Sequence, residues 1–215
     1  MSTVQRINDS WLVEIGVARH VLLQGQMLHV AQDRIRLPDG GAATREFVIH
    51  PGAVMVVPLL DDGRVVLERQ YRYPMGRVMV EFPAGKLDEG EPSLVCAQRE
   101  LGEETGYTAA EWAFAGTIHP VISYSTEHID VWFARQLTAG PRDLDAGEFL
   151  DVFAASVDEL LHWCLTGAVT DAKTLSGVLW LQNHLAGRLP LAWGGSDPCQ
   201  HVQPAGPRVP RLEGA

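Results

Sequence analysis

Three glutamates, Glu100, Glu103 and Glu104, stand at i, i+3 and i+4 near the end of a segment with helical character. Leu94, Ala97 and Leu101 recur at helical spacing, so at about 100° per residue they share one face and the three carboxylates share the next. Like charges at that spacing repel. They also occupy the last turn, where the helix dipole is negative and favours cations. Local stability opposes this arrangement, and a bound cation is the simplest offset. Clustered carboxylate oxygens suit hard ions, Mg²⁺ first and Mn²⁺ as the alternative. Taken alone, the trio also reads as a solvated acidic face.

The surroundings decide between these readings. The chain runs Gly85, five residues, Glu91, seven residues, Arg99-Glu100-Leu101, one residue, Glu103-Glu104, one residue, Gly106-Tyr107. This pattern resembles the Nudix box at every fixed position, which is far more specific than one short motif. The resemblance implies that Gly85 opens the loop before the helix and that Glu91 and Arg99 pair to hold loop against helix, with Gly106 closing the motif. It makes Glu100 and Glu104 the main metal ligands, with Glu103 beside them and the backbone carbonyl of Ala84 completing the shell. It also places Arg99 and Glu103 in the catalytic machinery. The implied reaction is metal-assisted hydrolysis of a diphosphate. The cation neutralises phosphate oxygens and activates a water, and a carboxylate takes the proton.

Outside the box the chain resembles ADP-ribose pyrophosphatases, from about residue 15 to 187. The resemblance rests on Arg45-Glu46, on the segments 51–54, 69–74 and 81–85, and on Thr170-Asp171-Ala172-Lys173-Thr174. That group often carries a catalytic Glu in a loop reading Pro-x-Pro-Gly-Phe-Ser-x-Glu. Here the run is Pro120-Val121-Ile122-Ser123-Tyr124-Ser125-Thr126-Glu127. Glu127 keeps the place of the base, while Ile122 and Ser123 replace the second Pro and the Gly. The implied substrate is ADP-ribose, split to AMP and ribose 5-phosphate, with another nucleoside diphosphate sugar as the alternative. Arg45 and Arg72 are expected to bind phosphate or the terminal ribose, because a guanidinium fork donates to phosphate bidentately. Glu81 is expected at the metal or substrate, with a structural ion pair as its rival. The family pattern also implies a homodimer in which residues 11–50 supply interface and substrate contacts. A sugar-nucleotide sensor on the same scaffold would lose box carboxylates, and this chain keeps them. A nucleoside triphosphate hydrolase would need neither the N-terminal region nor the Glu127 loop.

The elements that must position these groups are readable from pattern. Residues 11–50 read as several strands, with Leu37-Pro38-Asp39-Gly40 as a hairpin turn. Residues 53–60 and 64–72, joined by Asp61-Asp62-Gly63, read as a buried hairpin. A further strand precedes Pro83, and the box helix runs from Pro92 to Thr105 with Gly106 past its end. Strands follow around 112–119, 128–137 and 148–156, then helices over 157–165 and 170–185. Strands surrounding one helix, with helices at the end, give an α/β sandwich preceded by a small β region. With the resemblance, the expected fold is a Nudix α/β/α sandwich with a mixed β-sheet after a small antiparallel N-terminal β region. The expected domains are a flexible N-terminus 1–10, a β region 11–50, a hydrolase domain 51–190 and a flexible tail 194–215.

The 215 residues, 46% hydrophobic, suffice for one sizeable core. A net charge of −10 leaves no basic surface for a nucleic acid backbone. The longest apolar runs are too short to span a bilayer, and residues 1–10 lack the plan of a signal peptide, so a cytoplasmic location is expected. Cys96, Cys164 and Cys199 share no close spacing and suggest neither zinc nor disulfides.

Overall fold

Val54, Met55, Val56 and Val57 are all buried, so the strand that carries them must be covered on both faces. The two faces pack differently. Val54 and Val56 join a cluster with Leu94, Cys96, Ala97, Leu101, Trp112, Trp132 and Ala134. Met55 and Val57 join another with Val65, Leu67, Val131, Phe133, Leu160, Val178 and Leu181. This period-two division makes the strand the middle layer of an α/β/α sandwich.

The computed structural model describes residues 9–144, 146–201, 209–210 and 212–213. It contains β1 (Ile15–Gln24), β2 (His29–Arg36), β3 (Ala42–Ile49), β4 (Ala53–Pro58), β5 (Val65–Arg72), β6 (Arg77–Glu81) and β7 (Ala84–Lys86). After these come α1 (Ser93–Thr105), β8 (Tyr107–Ile118), β9 (Ile129–Ala139), β10 (Leu150–Ala155), α2 (Val157–Thr166) and α3 (Ala172–Leu185). The described residues group into two units. One comprises those of 1–50, 121–127 and 207–215, the other those of 51–120 and 128–206.

The larger unit holds a mixed sheet ordered β7-β4-β9-β8, in which β4 and β9 run parallel, and an antiparallel sheet ordered β10-β5-β6. The hairpin expected of β4 and β5 does not form, apart from the single bridge Leu59–Val65. A strand has two edges, and those of β4 are taken by β7 and β9. Hence β5 pairs with β6 and β10 instead. The ends of the helices are set by their own sequence. Gly106 closes α1 in the left-handed region at φ 75°, where a side chain is strained. Ser156 and Glu159 form a capping box on α2, and Asp171 caps α3 by accepting from Thr174 N.

The smaller unit is an antiparallel sheet ordered β1-β2-β3. The strand β1 pairs irregularly with β2 at Gly16/Ala18 and Val21/Leu23. Residues 121–127 belong here, since Val48 N donates to Tyr124 O at 2.8 Å and Thr126 N to Val48 O at 3.0 Å. The expected flexible N-terminus falls mostly on residues 1–8, outside the described residues. Of the expected flexible tail, residues 202–208, 211 and 214–215 also lie outside them. Its start is tied down: Trp112 and Gly194 exchange two hydrogen bonds of 2.9 Å, and Gln98 Nε2 donates to Ser196 O at 2.7 Å. Among the described residues no helix is long and apolar enough to cross a membrane.

Candidate active site

The end of α1 is where chemistry and packing conflict. Leu94, Ala97 and Leu101 are buried against β4 and β9, and this seats the neighbouring face of the helix against β7. Glu100 and Glu104 are thereby buried, while Glu103 stays partly exposed. Glu104 Oε2 accepts from Ala84 N at 3.0 Å. A Cβ at Gly85 would stand 1.9 Å from the Glu100 carboxylate, so a side chain there would push that carboxylate out of its present place. The loop and the helix end thus form one cradle, in which a glycine leaves room for the Glu100 carboxylate.

Arg99 organises the cradle's rim. Its Nε and Nη2 donate to the two oxygens of Glu91 at 3.0 and 3.1 Å, and Nη2 also reaches Lys86 O at 3.3 Å. Its Nη1 donates to Glu100 at 2.7 Å and to Glu103 at 3.0 Å. Glu91 also accepts from Asp88 N, which fixes the turn between loop and helix. The Arg99 hydrogen bond holds the Glu91 carboxyl below its usual range. One guanidinium therefore serves three carboxylates, and Glu104 receives none of it.

Burial, then the charges of Glu68 and Glu100, push the Glu104 carboxyl up to about 10. Burial likewise raises Glu100, against the pull of Arg99. Glu68, on β5, is 0% exposed, and neither of its carboxylate oxygens has a hydrogen-bond partner. Burial and then the charge of Glu81 push it up to about 7. Sequence reasoning passed over Glu68. It follows Val65, Val66 and Leu67, all buried, so no alternation in that run assigns it a face.

A few residues away, burial produces the opposite result. Glu81 is 2% exposed, yet it accepts from Arg72 Nε and Nη2 at 2.7 and 2.8 Å and from Lys173 Nζ. Burial alone would raise its carboxyl, but the Arg72 hydrogen bonds and the Lys173 charge hold it below the usual range. Glu81 and Arg72, both expected at the substrate, are here partners of each other. Lys173 completes the group and also reaches Asp171 at 3.0 Å.

The other expected residues lie in the smaller unit. Arg45 pairs with Glu14 and lines a cavity of about 410 Å³ with Asp33, Glu46, Phe47 and Tyr124. Glu127 takes part in the loop turn, its N donating to Ser125 Oγ at 3.1 Å. Glu148 was not singled out by sequence reasoning. It precedes β10, accepts from Gln70 Nε2 at 3.1 Å, and adds negative charge felt at Glu68, Glu100 and Glu104. A lone Glu in the segment 140–149 gives no periodic signal.

The donor set suits a hard divalent ion: two buried carboxylates beside the backbone of Ala84, and too little positive charge. In the conformation described, no three His, Cys, Asp or Glu groups among the described residues converge to metal-ligand distance. Arg99 holds Glu100 and the Ala84 amide holds Glu104. The residues fit a cation in chemistry and charge, and receiving one requires Arg99 to yield part of its hold. Cys96 lies beneath the cradle, fully buried, with its thiol pushed up by burial, so it is a packed core atom and not a soft-metal ligand.

Comparison with known proteins finds relatives over most of the chain. Residues 49–176 match the family model of the NUDIX domain. Over 173 residues the chain is 35% identical to an ADP-ribose pyrophosphatase of Bacillus subtilis, covering 80% of this chain and 94% of that protein. Over 165 residues it is 36% identical to a methanol dehydrogenase activator of Bacillus methanolicus, covering 75% and 88%. A crystal structure of an ADP compounds hydrolase matches with a TM-score of 0.73 over 81% of this chain and 95% of the other. At 21% identity that likeness speaks for the fold.

Proposed function

We propose that this chain, which belongs to the Nudix family, is a Mg²⁺-dependent hydrolase of nucleoside diphosphate derivatives that cuts ADP-ribose to AMP and ribose 5-phosphate. The observation that carries the reading is the buried pair Glu100 and Glu104 at the end of α1, short of positive charge and cradled by Ala84 and Gly85. ADP-ribose is favoured because an ADP-ribose pyrophosphatase is related over most of both chains, and because the segments outside the box resemble that group.

A divalent cation bound at this cradle would offset the charge of a diphosphate and acidify a water. Glu100, Glu104 and the Ala84 carbonyl would hold it, with Glu103 beside them. Arg99 keeps the loop 86–91 on the helix and presents Glu100 and Glu103. Two carboxylates outside the helix compete for the proton of the attacking water. Glu127 is supported by the resemblance, and Glu148 by its charge at the site. Arg45 and Arg72 would meet substrate phosphate or ribose by exchanging their present partners, Glu14 and Glu81, for it.

We also propose a homodimer through the N-terminal sheet. Trp11, Val21, Leu22, Leu23, Met27 and Leu28 are exposed there, an apolar surface that a partner copy would cover. The test is purified protein with Mg²⁺ against a panel of nucleoside diphosphate sugars, dinucleotides and triphosphates, with products identified. Fastest release of AMP from ADP-ribose is expected. A triphosphate turned over best would overturn the substrate proposal, and a monomer mass in the same preparation would overturn the dimer.

A further inference from the structure

We propose that Glu68 is a further carboxylate of the metal centre, an outer-sphere acceptor for the hydrated divalent cation that Glu100 and Glu104 would hold. This rests on the metal-site reading above. Glu68 is wholly buried, and both of its oxygens lack a hydrogen-bond partner. Buried carboxylates in folded proteins are paired or bound to metal, because leaving one bare is costly. The nearby cations do not solve the problem, since Arg72 and Lys173 hydrogen-bond to Glu81.

Position connects Glu68 to the cradle. On paired strands it stands opposite Glu81, which leads through Phe82 and Pro83 to Ala84, the residue whose amide holds Glu104. Among the charges that act on Glu104, that of Glu68 has the largest effect, ahead of Glu100, its neighbour on the helix. No three carboxylates converge to ligand distance among the described residues, so Glu68 is not placed to complete an inner shell. Mg²⁺ retains several of its waters when bound by protein, and these waters need acceptors. A buried carboxylate with two free oxygens is such an acceptor. It also adds the negative charge that makes the site select a dication. The competing explanation is a neutral carboxylic acid that fills space in the core and has no part in metal binding.

The test measures Mn²⁺ and Mg²⁺ affinity by calorimetry, together with thermal melts with and without metal, for the wild type, Glu68→Gln, Glu68→Asp and Glu104→Gln. Outer acceptors in metal sites typically contribute ~10–100-fold in affinity. Glu68→Gln is expected to weaken Mn²⁺ binding at least ~10-fold. Its metal-free melting temperature should be no lower than that of the wild type, and Glu68→Asp should recover part of the affinity. Unchanged Mn²⁺ affinity in Glu68→Gln, with Glu104→Gln impaired, would overturn the proposal and leave the metal site standing. Unchanged affinity in both would overturn the metal-site reading itself. A metal-free Glu68→Gln that melts well below the wild type, with normal affinity, would establish the space-filling role.

Discussion

Glu81 and Glu104 are both buried glutamates in one unit, and their surroundings treat them in opposite ways. Glu81 meets Arg72 and Lys173 and is held ionised. Glu104 meets one backbone amide, feels Glu68 and Glu100, and is pushed toward protonation. The first cluster is complete with what the chain supplies. The second is complete only with a proton or a cation from outside. Burial therefore does not distinguish a structural carboxylate from a functional one, and the local balance of charge does.

The largest break in the comparison should come from Glu104→Gln. Removing this proposed ligand should cut turnover of ADP-ribose by on the order of 10³, since metal catalysis is worth several kcal/mol. The metal-free variant should melt at or above the wild-type temperature, because the cost of keeping a buried carboxyl protonated above its ordinary value is removed. Near-normal turnover at saturating Mg²⁺ would remove Glu104 from the ligand set. In the same kinetic series, Glu127→Gln and Glu148→Gln separate the two candidate bases. The true base should lose about 10²-fold or more in turnover with metal affinity intact. If neither variant does so, the role passes to a glutamate of the box.

The mirror experiment is Glu81→Gln, the same chemical change in the completed cluster. It leaves Arg72 and Lys173 facing a neutral amide, and removing one partner of a buried pair costs about 3 kcal/mol. For a chain of this size that lowers the melting temperature by roughly 10 °C. Opposite signs for Glu81→Gln and Glu104→Gln in metal-free melts would confirm the division. A shared sign would show that burial, and not charge balance, governs both.

How much of this the sequence carried depends on the kind of information. The box is local, so Gly85, Glu91, Arg99 and the three glutamates were legible as a unit, and so were the helix and its Gly106 stop. The sandwich was legible from the order of strands and helices. What escaped was nonlocal. The pairing of β5 with β10 instead of β4 depends on which edges are already occupied, and no pattern within a strand records that. The attachment of residues 121–127 to β3 is a contact across more than seventy positions. Glu68 and Glu148 became visible only when the fold brought them to the same buried charge, because neither stands in a periodic motif. Glu81 was ambiguous for the same reason: its cations come from β5 and α3.

The finest test is the pH dependence of the metal-free protein. Glu68 and Glu104 have folded values above the ordinary 4.5, at about 7 and about 10. Between the unfolded and folded values the native state binds more protons than the unfolded chain, so stability falls as pH rises. For Glu68 the loss runs from about 4.5 to 7, and for Glu104 it continues upward to about 10. Glu81 and Glu91 are shifted the other way. Their contribution is present above the ordinary carboxylate value and is lost only as pH falls through their lowered folded values. The two clusters together place the stability maximum near pH 5, with the melting temperature falling from there to pH 8. Saturating Mg²⁺ should flatten that fall, because the cation supplies at high pH the charge that protons supply at low pH. Glu104→Gln should also flatten it, without metal. A metal-free profile that is level or rises from pH 5 to 8 would mean that the α1 carboxylates already have their counter-charge within the chain, and the contrast with Glu81 would disappear.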